Sequence, residues 1–463
     1  MEWWKYPSKY FPSDFHPKKL SILKLPNSLF MSCKLDSLFT KKLVALKVLN
    51  FDNSDFLKEI PDVSNLPSLE ELSFRGCNNL TRIHSSAGFL GKLKILNAEH
   101  CHKLRSFPSM NLPSLKILLL SGCSSLEKFP EMLGKMENVE MLRLSRTDIR
   151  DLPLSFRNLS ELYTLTMSGN KIQRIPSVVF IMPKLSSFYI DGTQGNRLES
   201  QKQDEGMEGI VTSFSSSSVR FLYLYFSKLS DDFMVQQLPW FPNLKRLDLT
   251  RSDITIIPEC IQEFQFLSRL QVDSCRHLLE IRGIPPNLQN FSALYCESLT
   301  PSTTSMLLNQ ELHEKGNTHF VMPRAYGSIP SWFEHRSEET NSISFWFRGK
   351  FPAKSLCLAI LLNYSQEVTP IVTINGKKVS CGSGKTYVER LFIFDLWKTN
   401  YKYDSDELLF ESQEWNHAEV SWEVTAAEIG MHILNQNCSS IMQDIRFTHP
   451  YRKRKRDDRD FSQ

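Results

Sequence analysis

Gly384, Lys385 and Thr386 repeat the end of a phosphate-binding loop, whose backbone amides cradle phosphate and whose lysine neutralises it. The full pattern needs glycine at position 379 and a helix after the threonine. Val379 stands at the first place, and Tyr387 and Val388 continue a β-like run, so the segment reads as a connector between strands. His100, Cys101 and His102 invite a metal site. Neighbours in a strand and its turn point in opposite directions, however, and no second ligand pair stands at zinc spacing. No serine, cysteine or carboxylate set has a local spacing that supports catalysis. The expectation is a non-enzymatic chain with no catalytic, cofactor-binding or metal-binding residue.

What remains is chemistry of recognition, and it depends on a repeat. A frame LxxLxL recurs twelve times, starting at Leu20, Leu46, Leu69, Leu93, Leu115, Val139, Leu162, Leu185, Val219, Leu244, Leu267 and Leu288. Most starts are 21 to 26 residues apart. That period belongs to leucine-rich repeats, in which each unit gives one short strand to a continuous parallel sheet and cannot bury its apolar edge alone. Eight residues after each start stand Ser28, Ser54, Cys77, Cys101, Cys123, Thr147, Asn170, Thr193, Ser227, Ser252, Cys275 and Cys296. All are small and polar, as expected of a buried ladder of donors that satisfies carbonyls where the chain leaves the strand.

If the leucines face inward, residues two, four and six after each start line the concave face. The middle repeats place Glu71, Ser73, Arg75, Ile95, Asn97 and Glu99 there. Later repeats place Ser187, Tyr189 and Asp191, then Phe221, Tyr223 and Tyr225, then Arg246, Asp248 and Thr250, then Arg269, Gln271 and Asp273. Aromatic rings beside arginines on a solvent face are typical protein-binding anchors. Tyr189, Phe221, Tyr223, Tyr225, Arg246, Asp248, Arg269 and Asp273 are therefore the candidate contacts, and cover by the chain's own residues 194–218 is the bland alternative. Twelve strands would span roughly 50 Å, which suits a macromolecule better than a small-molecule substrate.

With 463 residues, 41% of them hydrophobic, the chain can hold more than one domain. A net charge of +4 makes no case for a nucleic-acid partner. Five of the ten cysteines lie on the ladder and the rest lack motif spacing. Met1 to Leu20 has no apolar run of a signal peptide and no later segment suits a membrane span. Reduced thiols in a cytoplasmic protein are expected, and the basic run Arg452 to Arg456 is a candidate nuclear-localisation patch or a solvated end.

The expected organisation is an entry segment at 1–19, a solenoid at 20–300 with an insertion at 194–218, a linker at 301–321, an antiparallel β-sandwich at 322–449 and a charged tail at 450–463. The interval of 34 residues from Leu185 to Val219 defines the insertion, which reads as a strandless loop. Prolines after apolar residues, as at Pro108, Pro130, Pro153 and Pro258, argue against long helices on the return path. Beyond Leu299 alternation replaces the repeat: Ile343, Phe345 and Phe347, then Ala418, Val420, Trp422 and Val424, mark half-buried strands. Asn375 and Gly376 between two β-like runs predict a hairpin. The fold class is mostly β.

Specific residues resemble a family. Trp4, Tyr6 and Pro7, then Phe15 to Leu20, then Leu23 to Ser28, look like the entry to the repeats of plant intracellular immune receptors of the TIR, NB-ARC and leucine-rich-repeat class. Gly76–Cys77 and Gly122–Cys123 resemble the same proteins. Ile329 to Phe333, Ser342 to Phe347 and Phe351 to Ala353 are similar to their C-terminal jelly-roll and Ig-like domain. The resemblance implies recognition of pathogen effector proteins or of an immune receptor subunit. It also implies nucleotide exchange and NAD cleavage by upstream domains, but this chain has neither a TIR nor a nucleotide-binding domain, so no cofactor is carried over. The rival from another class is a scaffold for other receptor subunits; a receptor ectodomain and an enzyme rank below both.

Overall fold

The computed structural model describes residues 1–9, 11, 15, 19–29, 42–170, 178–179, 182–191, 197–198, 217–226, 228–229, 231–323, 328–349, 351–381, 386–396, 414–434 and 444–448. The chain divides into two compact units, Met1–Leu267 with Pro285–Asn287, and Ser268–Ile284 with Leu288–Gln463.

In the first unit the LxxLxL frame becomes ten short parallel strands: Ile22–Lys24, Val48–Asn50, Glu71–Ser73, Ile95–Asn97, Ile117–Leu119, Met141–Arg143, Thr164–Thr166, Ser187–Asp191, Phe221–Tyr225 and Arg246–Asp248. Each pairs with the next in unbroken register, so Leu72, Leu96, Leu118, Leu142, Leu165, Phe188, Leu222 and Leu247 stack in one row. All eight are fully buried. Stacking of identical positions makes each repeat the core partner of its neighbours, which is why the frame tolerates Phe188 in place of leucine. Among the described residues the return path holds short 3-10 turns, such as Leu154–Asn158 and Glu259–Glu263, entered through Pro153 and Pro258, and a short helix, Asp231–Gln236. The expected insertion is not wholly strandless: Arg197–Leu198 pairs in parallel with Lys228–Leu229. Its other residues up to Ser216 lie outside the described set, as do Thr193 and Ser227.

The ladder is buried throughout its described length, and it works in two ways. Cys77, Cys101, Cys123 and Ser252 donate to the carbonyls of Phe51, Phe74, Ala98 and Leu224, at 3.2, 3.2, 3.1 and 3.0 Å. Each acceptor is the fifth residue after the preceding start, so one geometry recurs. Ser28, Ser54 and Asn170 instead accept, from the backbone N–H groups of Tyr6, Ser28 and Thr147. The expectation of donors alone is thereby corrected: at Ser28, Ser54 and Asn170 the side-chain oxygen also satisfies an orphan N–H. Burial pushes the Cys77 and Cys123 thiols up to about 12 and Cys101 further, so they remain protonated donors.

One residue earlier, at Asn27, Asn53, Gly76, His100, Gly122, Arg146, Gly169, Phe226, Arg251, Ser274 and Tyr295, the backbone is left-handed, with φ between 48° and 81°. The turn out of the strand demands it. Glycine adopts this conformation without penalty, and a Cβ on Gly122 would stand 2.6 Å from His100 Nδ1.

In the second unit, Arg269–Gln271, Asn290–Ser292 and His319–Met322 pair in parallel, and Cys296 donates to Val272 O at 2.9 Å in the ladder manner. His319–Met322 then pairs antiparallel with Leu391–Asp395. From there antiparallel pairing continues through Leu356–Leu361 and Asn416–Ile433 to His335–Phe347 and Ile371–Ile374. Ile343, Phe345, Phe347, Ala418, Val420 and Trp422 are buried as their alternation predicts, within one apolar cluster. The hairpin from Ile371–Ile374 to Lys377–Cys381 turns on Asn375 and Gly376, both at positive φ. Residues expected as a linker include two short helices, Pro301–Leu307 and Gln310–Glu314. His313 on the second is buried against Phe320 and Trp332, with Nε2 2.9 Å from Leu307 O, and burial pushes its pKa down to about 4.

Candidate protein-binding surface

Parallel pairing puts Tyr189 directly opposite Tyr223 on adjacent strands. Strands about 4.8 Å apart bring such side chains into ring contact. The two rings stack with centroids 4.1 Å apart and planes 4° from parallel, and Tyr225 leans on Tyr223 at 5.7 Å. Arg246 is paired in register with Phe221, yet its guanidinium reaches diagonally to 5.0 Å from the Tyr223 centroid. Asp248 holds it there: Arg246 Nη2 donates to Asp248 Oδ2 at 3.2 Å. Burial and a hydrogen bond with Tyr223 push the Tyr189 hydroxyl up to about 12, and burial and the Asp248 carboxylate push Tyr225 up as well. Both phenols therefore stay neutral at physiological pH. Beside them Phe226, exposed at positive φ, lies under the Arg251 guanidinium at 4.8 Å.

Tyr189, Phe221, Tyr223, Tyr225 and Arg246 thus form one cluster in the first unit. Two expected contacts have structural duties instead. Asp248 is 1% exposed, and besides Arg246 it accepts from Thr250 N and Thr250 Oγ1. It fixes Arg246 rather than facing the open concavity. Asp273, in the second unit, accepts from Ser292 Oγ and Leu294 N through one oxygen and from Gln271 Nε2 through the other. Asp52 does the same with Ser73 Oγ, Arg75 N and Asn50 Nδ2. An aspartate six residues after a start is an inter-repeat clamp, a role that the outward-pointing rule does not reveal. Arg269 is exposed on the second unit.

A family model described as "Disease resistance protein RPS4B-like, leucine-rich repeats" matches residues 111–300. Residues 111–300 are thus similar to the leucine-rich repeats of plant disease resistance proteins. It is 37% identical over 181 residues to "Disease resistance protein RPP2A" of Arabidopsis thaliana, covering 38% of this chain and 13% of that protein. It is 26% identical over 326 residues to "TMV resistance protein N" of Nicotiana glutinosa, covering 61% of this chain and 28% of that protein. The chain therefore spans less than a third of either relative. Among solved structures, a leucine-rich repeat protein from Bacteroides thetaiotaomicron aligns with a TM-score of 0.40 at 16% identity, covering 62% of this chain and 39% of that one.

The concave face of the repeats carries a second feature. The residues two places after each start align across the strands in the order Glu71, Ile95, Ile117, Met141, Thr164, Ser187, Phe221 and Arg246. Ile95, Ile117 and Met141 are half-buried, with their outer surfaces toward the concavity. Ile117 and Met141 went unnoticed in the sequence because the search there followed aromatic and charged residues; the same frame marks their positions. The other candidates for chemistry do not assemble. Cys101 Sγ is turned to Phe74 O, the His100 and His102 rings lie 6.1 Å apart, and Thr386–Val388 is a strand, not the helix that a phosphate loop requires. Gly384 and Lys385 lie outside the described residues. Among described residues no helix is long and apolar enough to cross a membrane.

Proposed function

We propose that the chain is a recognition module of a plant intracellular innate immune receptor, binding a pathogen effector protein through the concave face of its repeats. The observation that carries this reading is the Tyr189–Tyr223 stack capped by Arg246, an aromatic and cationic cluster on a solvent-facing sheet within repeats of the disease resistance type. Tyr189, Phe221, Tyr225 and Arg246 are the contacts, backed by the largely buried Tyr223 and with Asp248 positioning Arg246; Arg269, on the second unit, is a candidate contact in its own right. The antiparallel strands of the second unit are read as a β-sandwich of the jelly-roll and Ig-like kind that contributes to recognition, joined to the solenoid by residues 301–321. The setting is cytoplasmic, the partner is a protein, and no catalysis is involved.

Capture from infected and uninfected plant tissue, followed by mass spectrometry, tests this. The wild-type chain should enrich a pathogen-encoded protein from infected tissue, and the Phe221→Ala, Tyr225→Ala double variant should lose about tenfold of it. A scaffold for receptor subunits, the second reading, would retain the same plant partner in both tissues. Retention of the pathogen protein by the double variant would remove the site.

A further inference from the structure

Turns of the repeats are closed by the repeat that follows. The residue seven after a start donates its N–H to the carbonyl six after the next start, as Asn53 does to Arg75, His100 to Ser121 and Ser274 to Leu294, at 2.6, 2.7 and 2.6 Å. Two residues earlier the N–H goes to the carbonyl four after the next start, as from Val272 to Ser292 at 2.8 Å. The repeat begun at Leu288 has no successor in the frame, yet its groups are met. Ala293 N–H reaches Val321 O at 3.0 Å, and His319 N–H reaches Gln289 O at 2.8 Å just as Asn290 N–H reaches Ser268 O at 2.9 Å. Strand His319–Met322 thus imitates a thirteenth repeat up to its fifth place. At the sixth the imitation ends: the N–H of Tyr295 goes instead to Glu389 Oε2, at 2.7 Å. Glu389 is brought there by the pairing that covers the strand's other edge, since Met322 pairs with Leu391, two residues further along the chain. It is buried, and a carboxylate accepts an N–H more strongly than a carbonyl does. The first unit holds a precedent, for Asp191 takes the N–H of Gly169, the same place in the turn, through a carboxylate oxygen. The ring of Tyr295 meets that of Tyr387, two residues before Glu389, at 6.1 Å.

A stack of repeats needs a terminal element that satisfies its last backbone groups and denies its edge to another chain. We infer that the antiparallel strands of the second unit are that cap, and that Glu389 is its positioning residue, holding the turn at Tyr295 in place of the carbonyl that a further repeat would supply. This duty is separate from any part those strands take in partner recognition.

Amide hydrogen exchange on the full chain, resolved to single residues, tests both parts. With rising urea the amides of Phe291 in the last repeat and Phe392 in the antiparallel strands should lose protection together; loss at Phe291 while Phe392 stays protected would overturn the cap. In Glu389→Ala the Tyr295 amide should exchange about tenfold faster than in the wild type, while Ser274 and Ala293, whose acceptors are backbone carbonyls, keep their rates within about twofold. Glu389→Gln, which retains an acceptor oxygen, should restore protection at Tyr295. Glu389→Asp, which draws the carboxylate back by one methylene, should lose most of it, and this pair decides the matter if Glu389→Ala fails to fold. Unchanged exchange at Tyr295 in Glu389→Ala or Glu389→Asp would overturn the role of Glu389. So would equal acceleration at Tyr295, Ser274 and Ala293, the mark of general loosening, or a loss of protection in Glu389→Gln as large as in Glu389→Asp.

Discussion

The ladder and the concave face are built from the same repeats, a few residues apart, yet they obey opposite rules. On the ladder every described side chain is small and buried, and most bond to a neighbouring repeat. On the concave face tyrosine, isoleucine, methionine, threonine and arginine succeed one another at equivalent places. Backbone groups without a strand partner restrict the first, because an unpaired buried N–H or C=O costs about 1–3 kcal/mol. The demand is weaker on the second, where polar side chains such as Asp52, Asp191, Asp248 and Asp273 have been drawn into structural work. Positions released from the backbone's requirements are the ones able to carry specificity.

The comparison is broken most severely from beneath, in the row that supports both surfaces. Phe188 is fully buried between Leu165 and Leu222, and Phe188→Ala should destabilise the first unit by about 3–5 kcal/mol in urea unfolding. Because Tyr189 follows it in the strand, the tyrosine stack should loosen at the same time, visible as altered near-ultraviolet circular dichroism.

The second unit offers a control that neither surface shares. His313 is held neutral by burial at a pKa of about 4, below its ordinary value of 6.5. The unfolded chain then binds the proton first as pH falls, so stability is full above pH 6.5 and declines toward pH 4, by about 2–3 kcal/mol. His313→Phe should flatten that decline in the second unit's unfolding transition. An unchanged pH profile would mean that the imidazole is not the group responsible.

Cys101→Ala tests the ladder itself. It removes the donor to Phe74 O and leaves a small void, with an expected loss of about 1–2 kcal/mol. Cys101→Ser should recover part of this, since Ser252 makes the equivalent bond. Equal losses for the two variants would show that packing rather than hydrogen bonding governs the row.

Much of this contrast was legible in the sequence. The period placed the core leucines and the ladder, because a repeat that stacks on itself must present the same chemistry at the same place. Three things were hidden. The left-handed residue before each ladder position was signalled by Gly76, Gly122 and Gly169 and by Asn27 and Asn53, while Arg146, Phe226 and Tyr295 adopt the same φ without a telling side chain. The split between donating and accepting ladder residues depends on which backbone group is left over, a matter of three-dimensional register. The clamps at Asp52, Asp248 and Asp273 bond to residues next to them or one repeat away, and an outward position in the frame does not distinguish such a carboxylate from a free one.

The smallest effect on folding is expected where the comparison is sharpest. Ile117 lies on the concave face between Ile95 and Met141, and threonine occupies the equivalent place at 164. Ile117→Thr keeps β-branching and removes only part of a half-buried apolar surface, so unfolding free energy should change by less than about 1 kcal/mol. Partner capture should nevertheless fall, because the lost surface is the part that a partner would cover. If unfolding shifts as much as it does for Cys101→Ala, Ile117 belongs to the core and the division between the two surfaces must be redrawn on its far side.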